Sequence, residues 1–473
     1  MNTYILLCEN KIYFHNTVNK RGFTEDEVKE IKYKEKFCNA RKICIEEEVE
    51  KYNLMKNYNN DYGMDESVYN FYLWSNAYND NNINGFSVPM KAQNNDDYVN
   101  KLKSTFDHYI KYLDRPAFAY YNDLLNCIKN ECKLILEALD YLINEDIENG
   151  DSIMSQMIEL FQEDPFLISE LDKSYSFRCI APFLDLHSQG CSEHYKEMMK
   201  EKLTFFRIRT KKKDSSEKIS QVKDMLHLPY DMREKAGNMR FSSSGSPGLY
   251  LSATTYVCSK ECNWDIKNEE LYASAFIPNE QGKHFKILNL TISQALINGI
   301  FNRGMDGCDD RRNQLQLSML KIFPLVIATS FTLESETNNN KYNYLLSQSL
   351  MRVANKHGID GIAYLSMKGS DEFQFPQGVN LAIPATDISN QKMYSEKCKG
   401  FEVSIPVKYA EQKEDEIKSY INKVFKRYTP YGIESFTSKI DVDGEYQYYG
   451  ETKYGKFDNY LVSLLKRHSS LEK

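Results

Sequence analysis

The sequence predicts an α+β protein. Between residues 98 and 200 apolar positions recur every three or four residues, as on helices packed by one face. From Leu203 onward, short aromatic and β-branched runs alternate with helical stretches, without the even spacing of βαβ units. The chain is therefore read as three parts. These are a mainly helical N-terminal domain over 1–200, a mixed domain over about 203–385, and a C-terminal α/β extension over 386–473.

Element by element, residues 1–100 are the hardest to read. A charged stretch from Glu25 to Tyr52 fits helix, and Asn57 to Asp97 is rich in Asn, Asp and Tyr, a composition that favours turns. From Phe118, the series Tyr121, Leu125, Ile128, Cys132, Ile135, Leu139 and Leu142 marks a helix that should stop in the polar stretch around Gly150. Further helices are expected over Ser152–Phe161 and Ser192–Lys202. Leu203–Arg209 reads as a strand, followed by a basic loop at Lys211–Lys213. Strands are then expected at Gly248–Ala253, Ala273–Ile277, Phe285–Leu290, Leu325–Phe331, Gly361–Leu365 and Val379–Ile383. Helices are expected at Thr255–Cys262, Ile292–Phe301, Tyr344–His357 and Asp415–Phe425, and a hairpin turns at Asp443-Gly444. Asn302–Asn313 reads as an inserted charged loop.

Composition narrows the function classes. In 473 residues, 41% are hydrophobic and 27% charged, which suits a folded globular chain. With 60 Lys and Arg against 67 Asp and Glu, the net charge of −7 argues against a general nucleic-acid binder. No apolar run reaches the roughly 18 residues of a membrane span. The apolar stretch at the N-terminus is too short for a signal peptide and lacks a basic lead-in, so a cytoplasmic protein is expected. Eleven cysteines include no CxxC pair, and the histidines are scattered, so no metal site is expected. No P-loop and no GxGxxG occurs.

The chemistry concentrates in residues 236–261. A loop rich in Gly, Ser and Pro runs from Ala236 to Gly248 and leads into a strand. Arg240 lies at the start of this loop, Tyr250 on the strand, and Glu261 on the helix that follows. Small residues let a backbone approach a ligand closely, and a guanidinium binds phosphate through a planar fork. A tyrosine offers a stacking face with a polar tip. A carboxylate can stabilise a positively charged ribosyl centre. Together the set suits a dinucleotide.

The segments FFRIR, MRFSSSGSPGLYLSATTYVCSKE and YLLSQSLMRVANKHGIDGIAYLS resemble the RES domain, over about residues 203–385. Arg240, Tyr250 and Glu261 match that family's first block in type and spacing, and Gln348, Asp360, Gly361 and Ser366 match its second. Arg207 matches an arginine of its opening strand. Met239 and Ser242 depart from the glycine and asparagine usual there. The resemblance implies a fold similar to ADP-ribosyltransferase toxins and an enzyme that breaks the nicotinamide–ribose bond of NAD by hydrolysis or phosphorolysis. NAD would be the substrate, with no cofactor.

On that reading Glu261, Arg240, Tyr250 and Ser366 form the catalytic set, and Arg207, Arg240, Tyr250 and Gln348 bind NAD. Depletion of NAD would make the protein a bacterial toxin or anti-phage effector. It would be restrained by an inhibitory partner or antitoxin, by homo-oligomer assembly, or by the N-terminal region acting as a regulatory or sensing part. Two alternatives remain at this level: transfer of ADP-ribose to a macromolecule, and an inactive RES-like sensor or interaction protein.

Overall fold

The computed structural model describes residues 88–114, 123–179, 181–187, 202–292, 310–334, 341–368, 377–409 and 445–471, with shorter pieces at 4–8, 11–13, 41–44, 196, 199–200 and 439–442. The chain forms two compact units. One comprises residues 1–87 with 293–316, the other 88–292 with 317–473. The expected boundaries at 200/203 and 385/386 both fall within the second unit.

In the first unit, β1 (Tyr4–Cys8) pairs antiparallel with β2 (Lys11–Tyr13) and β3 (Arg41–Cys44), in the order β2-β1-β3. The strand β3 corrects the helical reading of Glu25–Tyr52 at that point. Its charged residues obscure the strand in sequence, whereas the pairing of Ile43 with Ile5 supplies it.

The second unit is built on a nine-stranded sheet. Its strands are β5 (Ile168–Glu170), β6 (Phe205–Lys212), β7 (Gly248–Ser252), β8 (Glu269–Pro278), β9 (Lys286–Leu290), β11 (Gly361–Leu365), β12 (Val379–Pro384), β13 (Phe401–Val403) and β14 (Val407–Lys408). The order is β13-β8-β6-β7-β12-β11-β9-β5, with β14 also paired to β8. All pairings are antiparallel except β11 with β9. A separate parallel pair joins β4 (Met90–Ala92) to β10 (Phe331–Leu333). The mixed helix and sheet content agrees with the α+β expectation.

The helices of seven residues or more are α1 (Asn95–Leu113), α2 (Leu124–Ile143), α3 (Ile147–Phe161), α4 (Thr255–Glu261), α5 (Asp310–Ala328), α6 (Tyr342–Lys356) and α7 (Lys453–Leu471) among the described residues. Asn94 caps α1 by accepting from the Asp97 backbone N–H, and Asp146 caps α3 through Asn149. The helix expected from Ser152 thus starts five residues earlier. Gly150, expected as a stop, sits in its first turns because a side chain there would collide with Leu142 of α2. The packed surface, not the backbone freedom of glycine, explains its place.

Two further expectations are corrected. Leu325–Ala328 is the end of α5, not a strand, and the strand starts only at Phe331. Leu325, Val326, Ile327 and Ala328 are all buried, so their polarity carries no period that separates helix from strand. Of the charged loop expected over Asn302–Asn313, Asp310–Asn313 begin α5 instead, and the rest lies outside the described residues. The helices expected at 292–301 and 415–425, and most of 192–202, lie outside the described residues. The hairpin is present as β15 (Lys439–Val442) and β16 (Glu445–Tyr448).

Two sets of long-range contacts tie the described residues of this unit together. Beneath the helices, Tyr98 and Tyr109 of α1 donate to the carbonyls of Ala328 (2.8 Å) and Leu320 (2.7 Å). On one face of the sheet, Phe457, Leu461 and Val462 of α7 pack against Phe206, Ile208, Ala273 and Ala275. Burying such side chains stabilises by about 1.5–3 kcal/mol each, which ties the C-terminal segment to the sheet.

One buried carboxyl stands out in the helical part. Glu131 on α2 is 3% exposed, and its Oε2 has no hydrogen-bond partner among the described residues. Burial pushes its carboxyl well above the ordinary 4.5, against a smaller opposing pull from Lys321. A raised folded-state pKa contributes stability that is full below the unfolded value and lost as pH rises above it. Glu131→Gln, which cannot ionise, should therefore melt at a higher temperature than the parent at pH 7.5. The gain should shrink to nothing as pH approaches 4.5; melting curves across that range test it.

Candidate active site

Helix α4 carries Glu261 at its last position. The helix starts where Thr254 caps it, its hydroxyl oxygen accepting from Val257 N–H at 3.2 Å. It ends as the chain reverses through Asn263, which adopts φ 48°. Its first turn is anchored from far along the chain. The buried Asp458 of α7 accepts from the Thr255 backbone N–H (3.3 Å), the Thr255 hydroxyl, and the Tyr449 hydroxyl (2.6 Å).

At the other end of α4, Glu261 meets the sheet. Its Oε1 accepts from Ser366 Oγ at 2.7 Å and from Asn380 Nδ2 at 2.8 Å. Among the described residues Oε2 accepts nothing. Ser366 follows directly on β11 and pairs through its N–H with the Gly378 carbonyl (2.8 Å). Its hydroxyl accepts from Lys368 N–H (3.1 Å), which aims its own proton at Glu261. Asn380 lies on β12 opposite Tyr364 of β11 and Ser252 of β7. Directly opposed residues project from the same face of a sheet. Ser252 Oγ donates to Asn380 Oδ1 at 2.6 Å, so the amide must turn its nitrogen to Glu261.

Arg240 is 7% exposed, and all three of its nitrogens donate to protein acceptors. Nε reaches the Thr329 carbonyl (2.7 Å), one terminal nitrogen the Leu365 carbonyl (2.9 Å), and the other Ser330 Oγ (2.8 Å). The guanidinium also lies 4.9 Å from the Tyr364 ring centre and 5.2 Å from that of Phe241. The end of α5 prepares two of these acceptors. The Thr329 hydroxyl donates back to the Leu325 carbonyl (2.8 Å), closing the helix and leaving the Thr329 carbonyl to Arg240. Leu365 immediately precedes Ser366, so Arg240 braces the strand end that carries the serine.

The remaining predicted residues make their own hydrogen bonds around the loop and β7. Tyr250 and Ser242 share a hydrogen bond between hydroxyls at 2.7 Å. Gln348 of α6 donates from Nε2 to Asn238 Oδ1 (2.5 Å) and to the Met239 carbonyl (2.9 Å), which holds the loop rather than pointing away from it. Arg207 donates to the Tyr250 carbonyl at 3.0 Å, while its Nε is buried without a partner. Met239, a departure from the glycine of the RES-like pattern, pairs with Ser242 across a narrow turn and is 49% exposed. Its φ is not positive, so its backbone does not demand glycine. Two glycines of the loop do have local reasons. Gly245 adopts φ +80°, and a side chain at Gly248 would crowd the Tyr250 ring at 3.2 Å.

Electrostatically the site is a carboxylate and a guanidinium among phenols. Arg240 interacts with Glu261, Tyr250, Tyr344 and Tyr364. Burial pushes Tyr250 up to about 12 and Tyr364 well above its usual 10. Both phenols thus stay protonated at neutral pH and can donate. A carboxylate oriented through one oxygen, beside neutral phenols in a partly dry environment, is suited to stabilising developing positive charge.

Other candidates lie elsewhere. Asp360 stands at the opposite end of β11, where its carboxylate accepts from Lys286 N–H (3.0 Å) and pairs with Lys397 (3.3 Å). Gly361 is required because a side chain would meet the Ala382 carbonyl at 2.8 Å. Lys211 and Lys212 belong to β6 instead of a loop, and Lys211 pairs with Glu270 at 3.3 Å. His227 is buried and accepts from Ser395 N–H at 2.9 Å. Among the described residues, no three His, Cys, Asp or Glu are grouped to hold a metal ion. No described helix is long and apolar enough to cross a membrane.

Sequence reading missed Asn380, Ser252, Ser330 and Tyr364. The visible signal was polarity out of place: an asparagine inside the apolar run Val379–Ile383 and a serine closing Gly248–Ser252.

No family model matches the chain. It is 24% identical over 406 residues to "Putative toxin YopC" of Bacillus subtilis (strain 168), covering 80% of this chain and 79% of that protein. The chain thus has a toxin-like relative along most of its length. The crystal structure of the M. tuberculosis MbcT-MbcA toxin-antitoxin complex overlaps 44% of this chain and 85% of the matched chain. At 11% identity and a TM-score of 0.22, that overlap carries no weight for fold or activity.

The anchoring of α4 generates a stability prediction. Asp458→Ala leaves the buried Thr255 N–H and hydroxyl without the carboxylate that accepts from them. Each orphaned group costs about 1–3 kcal/mol, so denaturant midpoints should fall clearly. An unchanged midpoint would show that α4 is held by packing alone.

Proposed function

We propose that this protein cleaves the nicotinamide–ribose bond of NAD and acts as a toxin by depleting it. The observation that carries this reading is Glu261, held through one carboxylate oxygen by Ser366 and Asn380 with its second oxygen unengaged among the described residues. Loss of neutral nicotinamide leaves oxocarbenium character on the ribose, and a fixed carboxylate stabilises that charge most where water is scarce. Tyr250 would border the nicotinamide, and Ser366 would orient Glu261 or a ribose hydroxyl. Arg207, with an unpartnered buried Nε, would face the diphosphate. Arg240 would act on the substrate through its field and by bracing Leu365. The likeness to a toxin-named relative supports the toxic role. An inhibitory partner protein is the natural restraint on such an enzyme in its own host.

Purified protein incubated with NAD should release nicotinamide. ADP-ribose as co-product means water is the acceptor; ADP-ribose-1″-phosphate, formed only with phosphate present, means phosphorolysis. Intact NAD beside an active control glycohydrolase would overturn the reading, and label from NAD fixed on macromolecules would redirect it to ADP-ribosyl transfer.

The role of Glu261 is tested separately. Glu261→Gln keeps an oxygen for Ser366 and Asn380 but removes the charge. Turnover should fall by about a hundredfold or more, the roughly 3–4 kcal/mol of one electrostatic partner, while calorimetric NAD affinity stays near that of the parent. Lost affinity would assign Glu261 to binding.

A further inference from the structure

We infer that Asn380 is a positioning residue for Glu261, set in turn by Ser252, an assignment that rests on the NAD-cleaving reading of the site. Asn380 is 2% exposed and Ser252 5% exposed, so both polar side chains sit where an unpaired amide or hydroxyl is costly. Each is paired, and in one direction only. The Ser252 hydroxyl can give its proton to Oδ1 but the amide nitrogen has no lone pair to accept it. Oδ1 is therefore committed to Ser252 at 2.6 Å and Nδ2 to Glu261 at 2.8 Å.

The consequence is geometric. A glutamate at the end of a seven-residue helix has three side-chain torsions to settle. Ser366 alone would leave the carboxylate free to pivot about that one bond. The second donor, arriving from the neighbouring strand at the same oxygen, removes that pivot and fixes the direction of the carboxylate. Because Ser252, Asn380 and Tyr364 occupy opposed positions on β7, β12 and β11, the rigid sheet sets this direction and not a loop.

The test compares NAD turnover by the full chain as wild type, Ser252→Ala, Asn380→Asp, Glu261→Gln and the Glu261→Gln/Asn380→Asp double variant. Asn380→Asp replaces the donor with a second carboxylate beside Glu261. Its kcat should drop about a hundredfold near neutral pH, with KM for NAD within about threefold of wild type, as expected when orientation rather than binding is lost. As pH falls and the new carboxyl protonates, it regains a donor, so its activity relative to wild type should recover. A purely structural role would give no such recovery. Ser252→Ala frees the amide to rotate and should cost about three- to tenfold in kcat, which keeps the assignment testable if Asn380→Asp folds poorly. Within the double variant, the asparagine change should cost almost nothing further, because the charge it aims is gone.

Full kcat in Asn380→Asp, a loss confined to KM, no recovery in acid, or additive losses in the double variant would each overturn the assignment while leaving the NAD reading intact. A wild type inactive on NAD would overturn the reading and this role with it.

Discussion

A buried guanidinium joins parts of the chain that are distant in sequence. Arg240 leaves the loop before β7 and binds the carbonyl that ends α5, the hydroxyl of Ser330, and the last carbonyl of β11. Arginine alone among side chains offers donors in a rigid fork wide enough for three such acceptors. The two acceptor carbonyls lie at element ends, where the ladders of helix and sheet leave them unpaired. Satisfying them with one cation fixes the loop, the helical layer and the sheet in a common frame. The serine next to that last carbonyl then meets Glu261.

Helix α4 is held in the same spirit at both ends. Asp458 accepts from its first turn, and Ser366 and Asn380 donate to its last residue. Between them, Val257 and Cys258 are buried against the sheet and the C-terminal segment. A seven-residue helix has little stability of its own, so its geometry is inherited from these partners. The C-terminal helix α7 is consequently part of the structure that presents Glu261.

The chemistry available at this place follows from what surrounds the carboxylate. Phenols kept protonated by burial can donate without carrying charge, and the Arg240 guanidinium beside them is engaged by two carbonyls and the Ser330 hydroxyl. The negative charge of Glu261 is therefore left to act on whatever approaches Oε2. Such an arrangement stabilises a positive centre in a transition state without needing to reorganise.

Much was legible from sequence alone, for reasons that are local. Strands β7, β11 and β12 and helices α4 and α6 are bounded by glycine, proline or capping residues, and their apolar periods are short and clear. The order of Arg240, Tyr250, Glu261, Gln348 and Ser366 along the chain singled out polar residues of which hydrogen bonds join Glu261 to Ser366, and Arg240 to the carbonyl just before that serine. What sequence could not supply was direction. That Gln348 faces the loop, that Arg240 donates to backbone, and that Asn380 reaches Glu261 depend on strand order and register, which bring residues 252, 366 and 380 side by side. The apolar run at Leu325–Ala328 became helix for a related reason: buried on every side, it has no polar face to declare its period. Sequence determined which chemical groups are present and on which elements; tertiary pairing decided which atom of each group is already spoken for, because hydrogen bonds between strands are set by register and not by distance along the chain.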